Sequence, residues 1–299
     1  MSSFENRGVY SLMLTPYNED RSIDYKVYEE YVQWQARQGA GHLFACCGSS
    51  EMMELTLEER VKLASLTVKN AGGVPVVATA NLEPTWHAQL DEIKAIEQTG
   101  VSGLVFITKG YGADPEREYS YLAELSEHTE LPIVLYEFPG FKNYLMDAEI
   151  YGRLVKTGRF VGIKDTTSKM PPIKEKIAVQ GDSAVLQANI PYLLEAYEAG
   201  ARGVVATPTT CASYLFAKMY DEWVKGDKAG ADLTHKQICL VDNCIDSGFM
   251  ASAKYLVSLC GIPMNWYTRG SHNLNEQRLK SIRVFFEWAK QTGMKFYCE

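Results

Sequence analysis

Eight short apolar runs recur along the chain, at 9–14, 42–46, 74–80, 103–107, 132–136, 160–164, 183–187 and 203–206, each parted from the next by a stretch of helical periodicity. Runs of this length closed by turn residues read as buried strands, and their alternation with helices is the rhythm of repeated βα units. The spacers are punctuated as helices are. Thr56-Leu57-Glu58-Glu59 is a capping box, Asp114-Pro115 sets an N-cap before a first-turn proline, and Thr85 and Asp147 read as further N-caps. Gly39, Gly72-Gly73, Gly100, Gly158 and Gly200 stand where helices would end. Val27, Tyr31 and Trp34, and likewise Leu90, Ile93 and Ile96, repeat at helical spacing and read as core-facing stripes.

Eight strands, each followed by a helix, within about 200 residues favour a closed (β/α)₈ barrel, the TIM-barrel architecture, over an open doubly wound sheet. No GxGxxG follows the first strand, which also counts against a dinucleotide-binding sheet. After Pro208 the pattern turns to helices alone, at 213–225, 229–247, 250–259 and 275–291. The expected organisation is an α/β barrel core over residues 1–208 and a helical C-terminal extension over 209–299.

Composition narrows the partners. The 299 residues are 46% hydrophobic and 22% charged, which fits a soluble globular chain with one substantial core. The net charge is −7 and no cluster of Lys and Arg stands out on a predicted face, so neither nucleic acid nor an anionic membrane is an expected partner. No apolar run approaches the roughly 18 residues of a membrane span. The segment from Met1 to Arg7 has no apolar core or small-residue cleavage site, and a cytoplasmic location is expected. Seven cysteines, odd in number and without a CxxC pair, fit reduced thiols better than a disulfide framework. The five histidines lack ligand-type spacing, and no metal is expected.

In a barrel of this kind chemistry sits at the C-terminal ends of the strands. The run 160–164 ends on Lys164, where burial would favour the neutral, nucleophilic amine. A lysine that closes a strand and pairs with Asp165 is the plainer alternative. The run 132–136 ends on Tyr136, which barrel adjacency brings beside Lys164. The run 42–46 leads into Cys47-Gly48-Ser49-Ser50-Glu51, a small-residue turn whose backbone N–H groups suit a carboxylate. Each piece has an ordinary reading as well: a half-buried tyrosine, a plain loop, a small buried thiol. Together they place an amine, a phenol and an anion cradle on one rim.

On these residues the chain resembles the pyruvate-dependent Schiff-base lyases, the family of dihydrodipicolinate synthase and N-acetylneuraminate lyase. The likeness runs through Thr15-Pro16-Tyr17, Ile23-Asp24, Ser49-Ser50-Glu51, Leu57-Glu58-Glu59-Arg60, Tyr136, Gly162-Ile163-Lys164-Asp165 and Gly200-Ala201-Arg202-Gly203. It implies that Lys164 is the Schiff-base nucleophile toward pyruvate or a related 2-oxo acid and that Tyr136 is the proton shuttle. Gly48, Ser49 and Ser50 would bind the 2-oxo acid carboxylate, Val205 would wall the pocket, and Thr166 and Thr207 would face the second substrate. No cofactor is implied, because the covalent lysine imine is itself the electron sink. Homotetramers or homodimers are implied as the assembly.

The departures concern the second substrate and the proton relay. Where dihydrodipicolinate synthases carry an arginine after Tyr-Asn-Val-Pro, this chain has Phe141 and Lys142 after Tyr136-Glu137-Phe138-Pro139-Gly140, and phenylalanine cannot grip a carboxylate. Ala188-Asn189-Ile190-Pro191 replaces the acidic residues with which sialic acid lyases hold sugar hydroxyls. The relay hydroxyls map to Gly48 and Gly112, which leaves Ser49, Ser50, Tyr111 or water as relay candidates. Three readings follow. The first is a class I aldolase or lyase joining or cleaving a 2-oxo acid and an aldehyde, with a sugar acid among its products. The others are a true dihydrodipicolinate synthase, acting on pyruvate and aspartate semialdehyde, and a non-catalytic 2-oxo-acid-binding paralogue.

Overall fold

The eight apolar runs form the strands of a closed parallel barrel in the computed structural model, which describes residues 5–111, 113–270 and 274–298. The strands are β1 (Gly8–Leu12), β2 (His42–Ala45), β3 (Val76–Thr79), β4 (Gly103–Ile107), β5 (Ile133–Tyr136), β6 (Phe160–Asp165), β7 (Ala184–Gln187) and β8 (Gly203–Val204). Each is followed by a helix: α1 (Tyr25–Ala36), α2 (Leu57–Asn70), α3 (Trp86–Glu97), α4 (Pro115–Ser126), α5 (Ala148–Lys156), α6 (Met170–Val179), α7 (Leu193–Ala199) and α8 (Thr209–Val224). Three more helices complete the described chain, α9 (Lys228–Asp246), α10 (Met250–Leu259) and α11 (Glu276–Gln291).

Helix α8, the first helix past the expected boundary at 208, is hydrogen-bonded to the barrel. The Leu12 amide of β1 donates to Thr209 Oγ1 at 3.0 Å, and the Tyr31 hydroxyl and Gln35 amide of α1 donate to the Thr210 carbonyl at 2.7 and 2.8 Å. Its first turn precedes a non-helical residue, Ala212, which is why the helical pattern becomes legible in sequence from 213 onward. The caps follow local chemistry. Thr56 and Glu59 exchange bonds of 3.2 and 3.0 Å at the start of α2, and Asp114 accepts from the Arg117 amide at the start of α4. Asp147 makes no side-chain cap bond, unlike the expectation for it.

The barrel wall divides two cores. Inside lie Tyr10, Leu12, Phe44, Cys47, Val77, Val105, Ile107, Val134, Tyr136, Leu186 and Val205. Outside, the helices bury their stripes against the other strand face, including Tyr31, Trp34, Ile93 and Ile96. Strand residues alternate across the wall, so at the end of β6 Lys164 points to the interior and Asp165 to the helix layer. The seven cysteines are free thiols. Among the described residues no helix is long and apolar enough to cross a membrane.

Candidate active site

The C-terminal end of the barrel opens into a cavity of about 850 Å³, and Lys164 and Tyr136 are among the residues that line it. They are register partners in the β5–β6 ladder, which puts their side chains on the same face of adjacent strands. The Lys164 Nζ lies 4.1 Å from the centroid of the Tyr136 ring. Both residues are about 5% exposed, so each reaches substrate through the cavity and not through the surface.

Burial pushes the Lys164 amine down to about 8, against a small opposing effect of Cys47. Among the described residues no carboxylate compensates it, because the pairing with Asp165 is not made. Asp165 faces the other side of the wall, where its Oδ2 accepts from Lys176 Nζ at 2.8 Å. Lys176 also donates to Glu137 and, at 2.8 Å, to the Thr167 hydroxyl. Glu137 spends its remaining capacity on the amides of Met146 and Thr166, each at 2.9 Å. Burial alone would lower the Lys176 pKa, but the two carboxylates outweigh it and hold it above the usual lysine value. This buried group bolts together the two strand ends that carry Tyr136 and Lys164.

Tyr136 is held edge-on to Phe44, with centroids 6.2 Å apart, and tilted against Phe138 at 5.4 Å. Burial raises its phenol well above the ordinary value, which keeps it a proton donor until a developing charge nearby favours its anion. Its hydroxyl sits directly over Gly48. A Cβ at that position would lie 2.9 Å from the Tyr136 oxygen and 3.4 Å from the Phe138 ring. A side chain at 48 would therefore require the Tyr136 hydroxyl or the turn to shift.

The turn Gly48–Ser50 is a single 3₁₀ segment that ends on Glu51 in the left-handed region, φ 59°. Gly48 and Ser49 line the cavity, and the Ser49 hydroxyl donates to Thr207 Oγ1 at 3.4 Å. Ser50 is not brought to the cavity. Its hydroxyl donates to the Met13 carbonyl at 2.6 Å and accepts from the Cys47 amide at 3.0 Å, so it holds the turn from behind. Val205, Thr207 and Thr166 all reach the lining. The Thr166 hydroxyl donates to the Glu137 carbonyl at 2.8 Å, which leaves its lone pairs for a ligand. Tyr111 is not at the cavity of its own chain. It packs on Tyr121 with centroids 4.9 Å apart, beneath the Arg117 guanidinium. Gly112, the other relay position, lies outside the described residues.

Several cavity residues had no sequence signal. Asp242 of α9, Phe249 and Met250 at the start of α10, and Gly270 all line the cavity. The last is docked by Glu51, whose carboxylate accepts from Lys254 Nζ at 2.6 Å and from the amides of Arg269 and Gly270 at 2.7 and 3.2 Å. Asn189 lines the cavity, whereas Glu137 is turned outward. Lys176 did have a signal: it continues the buried stripe of Met170 and Ile173 on α6, and a charge on a buried stripe needs a partner. Among the described residues no cluster of His, Cys, Asp and Glu could hold a metal ion.

Comparison with known proteins adds the following. A family profile described as the Dihydrodipicolinate synthetase family matches residues 5–283. The chain is 25% identical over 262 residues to the 4-hydroxy-tetrahydrodipicolinate synthase of Gluconacetobacter diazotrophicus, covering 86% of this chain and 88% of that one. It is 27% identical over 279 residues to the same-named protein of Oceanobacillus iheyensis, covering 92% and 94%. Among solved structures, a prophage protein of the dihydrodipicolinic acid synthase family from E. coli K12, in complex with pyruvate, superposes with a TM-score of 0.88 at 19% identity, covering 97% of this chain and 99% of that one.

Proposed function

The chain belongs to the dihydrodipicolinate synthetase family, and from that premise we propose that it is a class I aldolase or lyase that joins or cleaves a 2-oxo acid and an aldehyde through an imine on Lys164. The observation that carries the reading is a buried lysine with no carboxylate partner among the described residues, in register with a buried tyrosine and lining one cavity with the Gly48-Ser49 turn.

In the synthetic direction the neutral Lys164 amine attacks the keto carbon of pyruvate, and water leaves to give the protonated imine. The imine draws electrons from the methyl group, a proton departs, and the resulting enamine adds to the aldehyde carbon. Tyr136 is the group placed to donate and recover protons at this centre. Gly48 and Ser49 present backbone N–H groups and a hydroxyl toward the substrate carboxylate, Val205 walls the pyruvate pocket, and Thr166 and Thr207 stand toward the second substrate. Ser50 acts by shaping the turn. A relay role for Tyr111 would require a second chain, consistent with a homodimer or homotetramer, and light scattering would test that assembly.

Incubation with pyruvate and borohydride should leave a covalent adduct on Lys164, absent in Lys164→Ala. No adduct with any of a panel of 2-oxo acids would refute the proposal. A second reading, true dihydrodipicolinate synthase activity, is favoured by the names of the relatives. A coupled assay with pyruvate and aspartate semialdehyde decides it. Exchange of the pyruvate methyl protons into deuterated water separates both from a paralogue that only binds 2-oxo acids, which would bind without exchange.

A further inference from the structure

Resting on the Lys164 imine chemistry just proposed, we infer that the second substrate is an uncharged, hydroxylated aldehyde, and that Asp242 of α9, outside the barrel, is the residue that selects it. Asp242 would repel anionic aldehydes and accept a hydrogen bond from a substrate hydroxyl.

Once Lys164 is committed to the imine, the described residues that line the cavity include no further lysine, arginine or histidine. The acidic residues there are Glu51, Glu54 and Asp242. Glu51 is neutralised by Lys254 and two backbone amides. Asp242 has no ion pair among the described residues, and the charge acting on it is the like charge of Asp246. Burial, aided by Asp246, pushes its carboxyl up to about 6, so at neutral pH it is still mainly an anion. A second carboxylate entering this partly desolvated space finds a negative charge and, among the described residues that line it, no cation besides the committed Lys164 to offset it, which is discrimination by repulsion.

The remaining lining says what is accepted. Ser168, Thr207 and Asn189 offer neutral donors and acceptors, while Phe138, Tyr144 and Tyr192 offer aromatic faces. Phe141 is packed edge-on against Phe138, centroids 6.1 Å apart, backing that aromatic wall and not adding a polar group to it. Hydroxyls matched to the first set and C–H faces laid on the second describe a short polyol chain. On this inference the one carboxylate of the aldol product comes from the 2-oxo acid.

The test compares glyceraldehyde, succinic semialdehyde and 3-aminopropanal as partners of pyruvate, with borohydride trapping of pyruvate alone run on the same preparations. Glyceraldehyde should lead succinic semialdehyde in kcat/KM by at least about tenfold, and Asp242→Lys should shrink or invert that ratio. Asp242→Asn, a smaller change, should move the ratio in the same direction. Preference for the anionic or the cationic aldehyde, or a ratio that neither variant moves, would overturn the inference while leaving the imine intact. Failure of trapping would instead overturn the imine proposal on which it rests.

Discussion

One strand separates two buried lysines with opposite uses. Lys164 faces the interior of the barrel with an aromatic ring and a thiol for neighbours, and burial lowers its pKa to about 8. Lys176 faces the outer side of the same wall, where Glu137 and Asp165 both grip it and hold its charge. Lys254 sides with Lys164: it has one carboxylate partner, Glu51, yet burial still takes it down to about 8. Burial by itself therefore does not mark a reactive lysine. Two facing carboxylates outweigh burial and hold Lys176 as a fixed cation, whereas with one at Lys254 and none at Lys164 burial is the larger effect and the amine gives up its proton more readily.

The contrast can be broken from either side. Lys164→Met should abolish the pyruvate adduct outright, read by borohydride trapping and mass spectrometry, whereas Lys176→Met should retain some adduct wherever it folds. Lys176→Met should cost about 3–5 kcal/mol of stability, because it strands two buried carboxylates. Urea unfolding would show it, and Glu137→Gln in the same chain should recover part of the loss.

Lys164→Met should have the opposite sign, stabilising the protein at pH 7 by on the order of 2 kcal/mol. A lysine whose folded pKa is lowered is protonated more fully in the unfolded chain between about 8 and the ordinary 10.5. Its burden on the fold is thus largest below pH 8 and is relieved as pH rises through that window. The advantage of Lys164→Met should shrink accordingly between pH 8 and 10.5. The same titration predicts that imine formation accelerates by nearly tenfold per pH unit below 8 and levels off above it. The smallest effect is expected at Gly48→Ala, whose Cβ crowds the Tyr136 hydroxyl: pyruvate proton exchange should fall by about tenfold while the adduct persists.

Much of this was legible in the chain itself. The eight runs, the capping box at Thr56 and the C-terminal glycines depend on neighbours a few residues apart, and they predicted the barrel and its order of elements. The placement of Tyr136 beside Lys164 followed from adjacent strands ending at a common rim. Ser50 was legible as part of the turn but not as its rear support, since Gly48-Ser49-Ser50 alternate too tightly for sequence to say which hydroxyl points outward. The attachment of α8 to the barrel is not legible in sequence, because the bond to its Thr209 comes from Leu12 of β1, far away in the chain.

The amino-acid order by itself determined the repeated βα units, the strand ends and the residue types waiting there, because periodicity and capping are short-range effects. It left open whether Asp165 would neutralise Lys164. That depends on which side of the wall each side chain takes and on Lys176 arriving from α6 to claim both Asp165 and Glu137, a through-space competition for charge in a low-dielectric interior. The folded chain also brings Asp242 from α9 into the lining of the cavity. No local pattern records this, because the residue gains its meaning from what it faces.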